Sequence, residues 1–267
     1  FWYRTILECM PDRNRSKIAQ ISYELAQVLI AQGDFESALT HLEVAEPIME
    51  SRFHQKREKA NYLMLSGLCL YEIDRTAESV TTLEEALAFL PKTTALDYRI
   101  RIVTYLSRAL RKLHRPVEVI KLFNTHQKLM PLDEMPYFSG SLMESVAWAY
   151  LETRDFQAAE FSLKESIRFG ETLGDPLALI DRYLALGQIF ERGHKYRNSV
   201  EEYERVITLA RRGATRRGLA KGLCHLAALS LVQHKTDNVD SMLAEASELA
   251  NRVNDPVLIA WSSILKS

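Results

Sequence analysis

The chain has 267 residues and carries 34 Lys and Arg against 35 Asp and Glu, a formal net charge of −1 that gives it no bulk attraction to nucleic acid or to an anionic membrane. No run approaches the roughly 18 apolar residues of a membrane span, and no signal-like apolar segment opens the chain. Its three cysteines, Cys9, Cys69 and Cys224, are widely separated and lack CxxC spacing, which points to reduced thiols in a cytoplasmic protein.

In chain order, Phe1 to Cys9 reads as the tail of a helix that belongs to an earlier pair. Ile21, Leu25, Val28 and Leu29 then step at helical spacing, Gly33-Asp34 breaks the phase, and Phe35, Ala38, Leu39 and Leu42 resume it. The unit is helix, turn, helix, and it recurs. Ala26, Gly67, Ser107, Ala147, Gly187 and Ala227 form a column of small residues at intervals of 41, 40, 40, 40 and 40. A second column, twelve positions on, holds Ala38, Ser79, Val119, Ala159, Ser199 and Val239, and a third, four positions further, holds Leu42, Leu83, Phe123, Leu163, Tyr203 and Leu243. Repetition of this kind predicts a solenoid of stacked helix pairs. Small residues at a helix crossing let two backbones approach, and large ones fill the space beside them.

Repeats are expected near 16–53, 56–93, 96–131, 136–173, 176–213 and 216–253, with partial helices at 1–10 and 256–267, all within one domain. Gly33, Asp74, His114, Arg154, His194 and His234 occupy the turn inside each pair, where a left-handed residue is wanted. The three histidines are read as turn residues and not as metal ligands, because packed helices sit about 8–10 Å apart whereas a zinc–nitrogen bond is about 2.0–2.1 Å. Between pairs, Gly174-Asp175-Pro176 and Asn254-Asp255-Pro256, with Pro136 on the same phase, mark starts of first helices. By this phase both ends of the chain are cut through a repeat, so an excerpt of a larger protein is expected.

These columns resemble the tetratricopeptide repeat family. Leu25-Ala26, Ser66-Gly67, Leu106-Ser107, Val146-Ala147, Leu186-Gly187 and Leu226-Ala227 match its Leu-Gly pair, and Pro91 and Pro131 match its closing proline. The period departs from the family's usual 34 and is similar to repeats in large bacterial signal-transduction proteins, such as the maltose-type transcription activators and the peptide-sensing Rap-like regulators, and in animal spindle-orienting scaffolds. HEAT-like repeats have a compatible period but lack these small-residue columns. The resemblance implies an all-α, right-handed tetratricopeptide-like solenoid of about six helix-turn-helix repeats. It also implies a concave groove lined by first helices, which on this phase includes Tyr23, Asn61, Tyr71, Arg101, Arg108, Arg111, Lys112, Glu144, Trp148 and Gln188. The clamp of chaperone-tail binders is not expected, since Tyr23, Gln27, Met64 and Leu68 stand where it needs Lys and Asn.

Two readings of the arginine stripe remain open. Arg101, Arg108 and Arg111 share one helix face with Lys112 beside them. In one reading they grip a carboxylate of a bound segment, flanked by Tyr71 and Trp148. In the other they pair within the solenoid, because residues 97–128 carry eight basic and two acidic side chains while 129–167 carry two basic and seven acidic. No GxxxxGK[ST], HExxH, GxSxG or dinucleotide-type glycine turn is present. Glu84-Glu85 and Glu201-Glu202 read as solvated carboxylates on exposed helix faces, and Arg211-Arg212 with Arg216-Arg217 as a solvated basic connection. Trp2 and Trp261, at the cut ends, are expected to cover neighbouring repeats, and His225 to be a packing residue. The expected function is therefore a non-catalytic scaffold or regulatory module without cofactor. It binds a protein or peptide segment, acidic where the stripe engages it, and neither nucleic acid nor membrane, and works beside other domains of its full-length chain. The alternative is a ligand- or peptide-sensing domain of a signalling protein or transcriptional regulator.

Overall fold

The computed structural model describes residues 15–49, 56–90, 95–174, 176–213 and 215–266. Among them are thirteen α-helices and no strand: α1 Arg15–Gln32, α2 Phe35–Met49, α3 Lys56–Glu72, α4 Thr76–Phe89, α5 Leu96–Lys112, α6 Pro116–His126, α7 Pro136–Glu152, α8 Phe156–Leu173, α9 Pro176–Arg192, α10 Tyr196–Arg212, α11 Arg216–Val232, α12 Val239–Val253 and α13 Pro256–Lys266. A short 3₁₀ turn, Gln127–Leu129, follows α6. The segment 1–10 with Trp2 and Cys9, and the positions Pro91 and Asp175, lie outside the described residues. None of the described helices is long and apolar enough to cross a membrane. The chain forms two compact units, Phe1–Phe138 and Ser139–Ser267.

Every predicted turn residue is left-handed. Gly33, Asp74, His114, Arg154, His194 and His234 have φ between 54° and 79°. After each of them the next amide donates five residues back, Asp34 to the Leu29 carbonyl, Arg75 to Leu70, Arg115 to Leu110, Asp155 to Tyr150, Lys195 to Phe190 and Lys235 to Ser230, at 2.8–3.0 Å. This six-residue return satisfies carbonyls that the end of a helix leaves without partners. The connections between pairs use the same device: Gly174 (φ 65°) ends α8 and Asn254 (φ 51°) ends α12. Pro136, Pro176 and Pro256 open α7, α9 and α13, where no amide donor is required. Asp255 Oδ1 caps α13 by accepting from the amides of Val257 (3.1 Å) and Leu258 (3.2 Å).

The three columns meet at the crossing within each pair. In α3 and α4, the Ser79 hydroxyl donates to the Gly67 carbonyl at 2.7 Å, and a Cβ on Gly67 would sit 2.6 Å from Leu83 Cγ. In α9 and α10, the Ser199 hydroxyl donates to the Gly187 carbonyl at 2.9 Å, and a Cβ on Gly187 would overlap the ring of Tyr203. The third-column side chain thus lies directly on the first-column backbone, while a second-column serine buries its hydroxyl at no cost in lost hydrogen bonds.

The second unit also buries a charge that the repeat pattern does not announce. Arg182 of α9 is 6% exposed. Its guanidinium fills space left by two glycines, since a Cβ on Gly140 would lie 2.7 Å from Nη2 and one on Gly170 would meet Nη1. Nη1 donates to the Ser166 carbonyl at 2.9 Å, Nε lies 4.0 Å from Glu144 Oε2, and the Ser166 hydroxyl donates to the Gly140 carbonyl at 2.7 Å.

Candidate functional site

In the first unit the predicted residues form two clusters. Asn61 donates its side-chain amide to the Tyr23 hydroxyl at 2.6 Å, and Tyr23 stacks on Tyr62 with ring centroids 6.3 Å apart. Burial, the largest cause, pushes the Tyr23 hydroxyl up to about 12. In the other cluster the guanidinium of Arg108 lies 4.7 Å from the centre of the Tyr71 ring and the Lys112 ammonium 5.1 Å from it. Both cations are also ion-paired, Arg108 Nη2 with Glu72 Oε1 at 3.5 Å and Lys112 Nζ with Asp74 Oδ1 at 2.7 Å. Their acids belong to the preceding helix pair and not to the acidic stretch 129–167.

Arg101 differs from its neighbours on the stripe. Its guanidinium lies 5.3 Å from the Phe138 ring centre and 5.9 Å from that of Tyr98, and its Nε has no hydrogen-bond partner among the described residues. An arginine held by aromatic faces is oriented without being neutralised. Arg111 lies a turn further along α5, in its last turn.

In the second unit Glu144, Trp148 and Gln188 converge on one cavity of about 480 Å³, lined by four consecutive first helices, α7, α9, α11 and α13. Trp148, Leu184 and Trp261 supply apolar wall, and His225 lies between them and the core, stacked on Tyr203 at 5.0 Å and edge-on to Trp261 at 4.6 Å. Gln188 Nε2 donates to His225 Nε2 at 3.1 Å, which leaves the ring proton on Nδ1. Two ion pairs join successive helices at the rim: Lys221 Nζ to Asp181 Oδ1 at 2.9 Å and Arg217 Nε to Asp255 Oδ2 at 3.0 Å. The Asp255 carboxyl is held below the usual range, first by the amide of Leu258 and also by the Arg217 charge.

Burial, helped by the charge of Lys221, lowers His225 from 6.5 to about 4. Between those values the unfolded chain takes up a proton that the folded chain refuses, so stability is full above about pH 6.5 and falls as the pH drops toward 4. Denaturant unfolding at pH 7 and pH 5 is expected to show this loss in the wild type and a smaller one in His225→Gln.

Several expectations are revised. Glu202 is not on an exposed face: it is 8% exposed, its Oε2 has no hydrogen bond among the described residues, and burial raises its carboxyl above the ordinary range. It falls on the buried stripe Ser199, Glu202, Tyr203, Val206 and Ala210 of α10, a register readable from helical spacing. Trp261 packs on His225 within this chain. Arg217, Lys221, His225 and Trp261 were absent from the expected site, although Lys221 and Trp261 lie 40 and 80 positions after Asp181 and continue its column. Cys69 and Cys224 are buried free thiols, pushed by burial up to about 12 and about 11. Among the described residues no group of three or more His, Cys, Asp or Glu is arranged to hold a metal ion.

Comparison with known proteins bears on the fold. The model of the tetratricopeptide repeat family matches residues 17–92. No curated protein matches the chain in sequence. Among solved structures it is similar to a signal-transduction ATPase with numerous domains and a tetratricopeptide repeat sensor from Pyrococcus horikoshii, with a TM-score of 0.72 at 14% identity over 93% of this chain and 39% of that one. It is also similar to the apo form of RapI (TM-score 0.67, 12% identity, 92% of this chain and 94% of that one). A Rap protein solved with competence and sporulation factor gives a TM-score of 0.60 at 18% identity, over 92% of this chain and 72% of that one. With its all-helical pairs, left-handed turns and small-residue crossings, the chain has the tetratricopeptide repeat fold, and residues 17–92 carry repeats of that family.

Proposed function

We propose that this chain is a non-catalytic, cytoplasmic binding module that holds a segment of a partner protein, or a free peptide, against the faces of its first helices. The observation that carries this reading is the cavity in the second unit, where Trp148, Gln188 and Trp261 meet between four first helices. Flat aromatic walls give a bound segment apolar contact at low entropic cost. The rim pairs Asp181–Lys221 and Arg217–Asp255 offer both signs of charge to its side chains. In the first unit, Arg101 is the member of the stripe suited to a carboxylate, because Arg108 and Lys112 already have acids. An acidic residue in the bound segment follows from that.

A regulatory version of the same reading is favoured by those rim pairs. A ligand that takes one partner of Asp181–Lys221 or Arg217–Asp255 alters how successive helix pairs are tied, and attached domains of a longer chain would sense it. The family fold is shared with a Rap protein solved with a peptide factor and with the sensor of a signalling ATPase, and such a role fits that company.

Peptides selected from a random library against the wild type provide the test. Trp148→Ala is expected to weaken peptides that seat in the second unit's cavity, and Arg101→Glu those that bind the first unit, each about 30-fold or more, the scale of an interface hot spot, with unchanged far-UV circular dichroism. Selected peptides that bind both variants as they bind the wild type would refute the assignment.

A further inference from the structure

A second cleft lies away from the first-helix face, in the first unit. It has a volume of about 480 Å³ and runs between the second helices α4 and α6, with α5 as its floor. The floor and walls are aliphatic: Leu106 and Leu110 of α5, Leu87 of α4 and Leu122 of α6. A cavity of this size is in the range that holds small organic ligands. The partner-binding reading above makes no use of it.

Its polar groups are unevenly placed. On α6, Glu118 is engaged by Arg115 through bonds of 2.5 and 2.6 Å. Further along the same helix, Lys121 and His126 line the cleft, and behind His126 stands Arg99, a guanidinium that is 3% exposed. Arg99 Nη1 lies 3.2 Å from His126 Nδ1. A guanidinium only donates, so Nδ1 is the acceptor and the ring proton resides on Nε2. Burial first, and then the charge of Arg99, lower the pKa of His126 and favour the neutral ring. The lining of an aliphatic cleft therefore carries an imidazole N–H backed by a buried positive charge and, five residues earlier on the same helix, an ammonium. Glu84, on α4, is the acidic group at the rim that is left to oppose them.

We infer that this cleft binds an unbranched aliphatic carboxylate, its chain along Leu87, Leu106, Leu110 and Leu122 and its head group at His126 and Lys121. An anion gains from both cations there, whereas an uncharged head group of the same length gains little. The site is independent of the peptide face, so a ligand here need not compete with a peptide there.

Titration calorimetry with octanoate, decanoate and decanol, each below its micelle concentration, tests the inference. Saturable one-to-one binding of decanoate is expected, tighter than octanoate by about an order of magnitude, since each buried methylene is worth about 0.8 kcal/mol, roughly a fourfold change. Decanol should bind at least tenfold more weakly than decanoate, and His126→Ala with Lys121→Ala should remove most of that difference. Ala88→Trp, at an exposed wall position, should block decanoate while leaving the circular dichroism spectrum and the selected peptides unaffected. The inference fails if decanoate does not saturate, if decanol matches it, or if folded Ala88→Trp binds it as the wild type does. The head-group comparison stands on the unmodified protein, and so does not depend on any variant folding.

Discussion

Gly187→Ala is expected to lower the unfolding free energy by about 1–3 kcal/mol, the cost of forcing an extra group into a packed crossing. One methyl group has this effect because of what lies above it. The new Cβ would stand 2.7 Å from Tyr203 Cδ1. Tyr203 cannot swing aside, since its hydroxyl donates to Glu191 at 2.9 Å and its ring is stacked on His225. Replacing Tyr203 with Leu should relieve the strain, because Ala beneath Leu is what the chain already uses at Ala26 with Leu42, Ala147 with Leu163 and Ala227 with Leu243. A double-mutant cycle measured by denaturant unfolding should therefore show Gly187→Ala costing less in the Tyr203→Leu background than in the wild type. Equal costs in the two backgrounds would show that the column pair is not the source of the penalty.

The second large effect belongs to Arg182→Ala, with an expected loss of about 2–5 kcal/mol from the emptied volume and the buried carbonyl it abandons. The pocket between Gly140 and Gly170 has the shape of a guanidinium, and Arg182 also faces Glu144, which lines the binding cavity. Arg182→Lys should restore only part of the stability, because an ammonium cannot spread across both glycines. Stability and peptide affinity are expected to fall together in Arg182→Ala. In Trp148→Ala affinity should fall by more than the loss of stability explains, since the ring lines the cavity as well as packing on the core. Thermal and denaturant unfolding, read beside peptide titration, separate the two.

Much of the fold is legible in the amino-acid order because the crossing is a problem of volume. A small residue, a sixteen-residue step and a large residue describe a backbone approach that no side-chain detail can replace, and the left-handed turn residues follow from the same phase. Burial of charge is harder to see. Arg182 and Glu202 look like surface residues in a chain that is 26% charged, and what buries Arg182 is a pair of glycines 12 and 42 positions away. For the site, phase alone points Trp148 and Gln188 to a common face, whereas nothing in the order of residues separates a Trp261 that packs on His225 from one that covers a neighbouring repeat. The stripe was ambiguous for a different reason. Ion pairing depends on which acids adjacent helices present, and Glu72 and Asp74 belong to the preceding repeat and not to the acidic stretch 129–167.

The six turns use four kinds of residue, Gly, Asp, His and Arg, for one backbone geometry. The bonds that close the turn run from main chain to main chain, so its geometry does not depend on the side chain at the tip, even where that side chain makes contacts of its own, as Asp74 does with Lys112 and His194 with Tyr196. Such a position stores almost no information about the fold, although the fold requires it in every repeat. Relatives can therefore diverge at the very places where the chain reverses and still reverse there. What must be kept is written instead in the sizes of residues at the crossings, a code that counts atoms and is largely indifferent to their names.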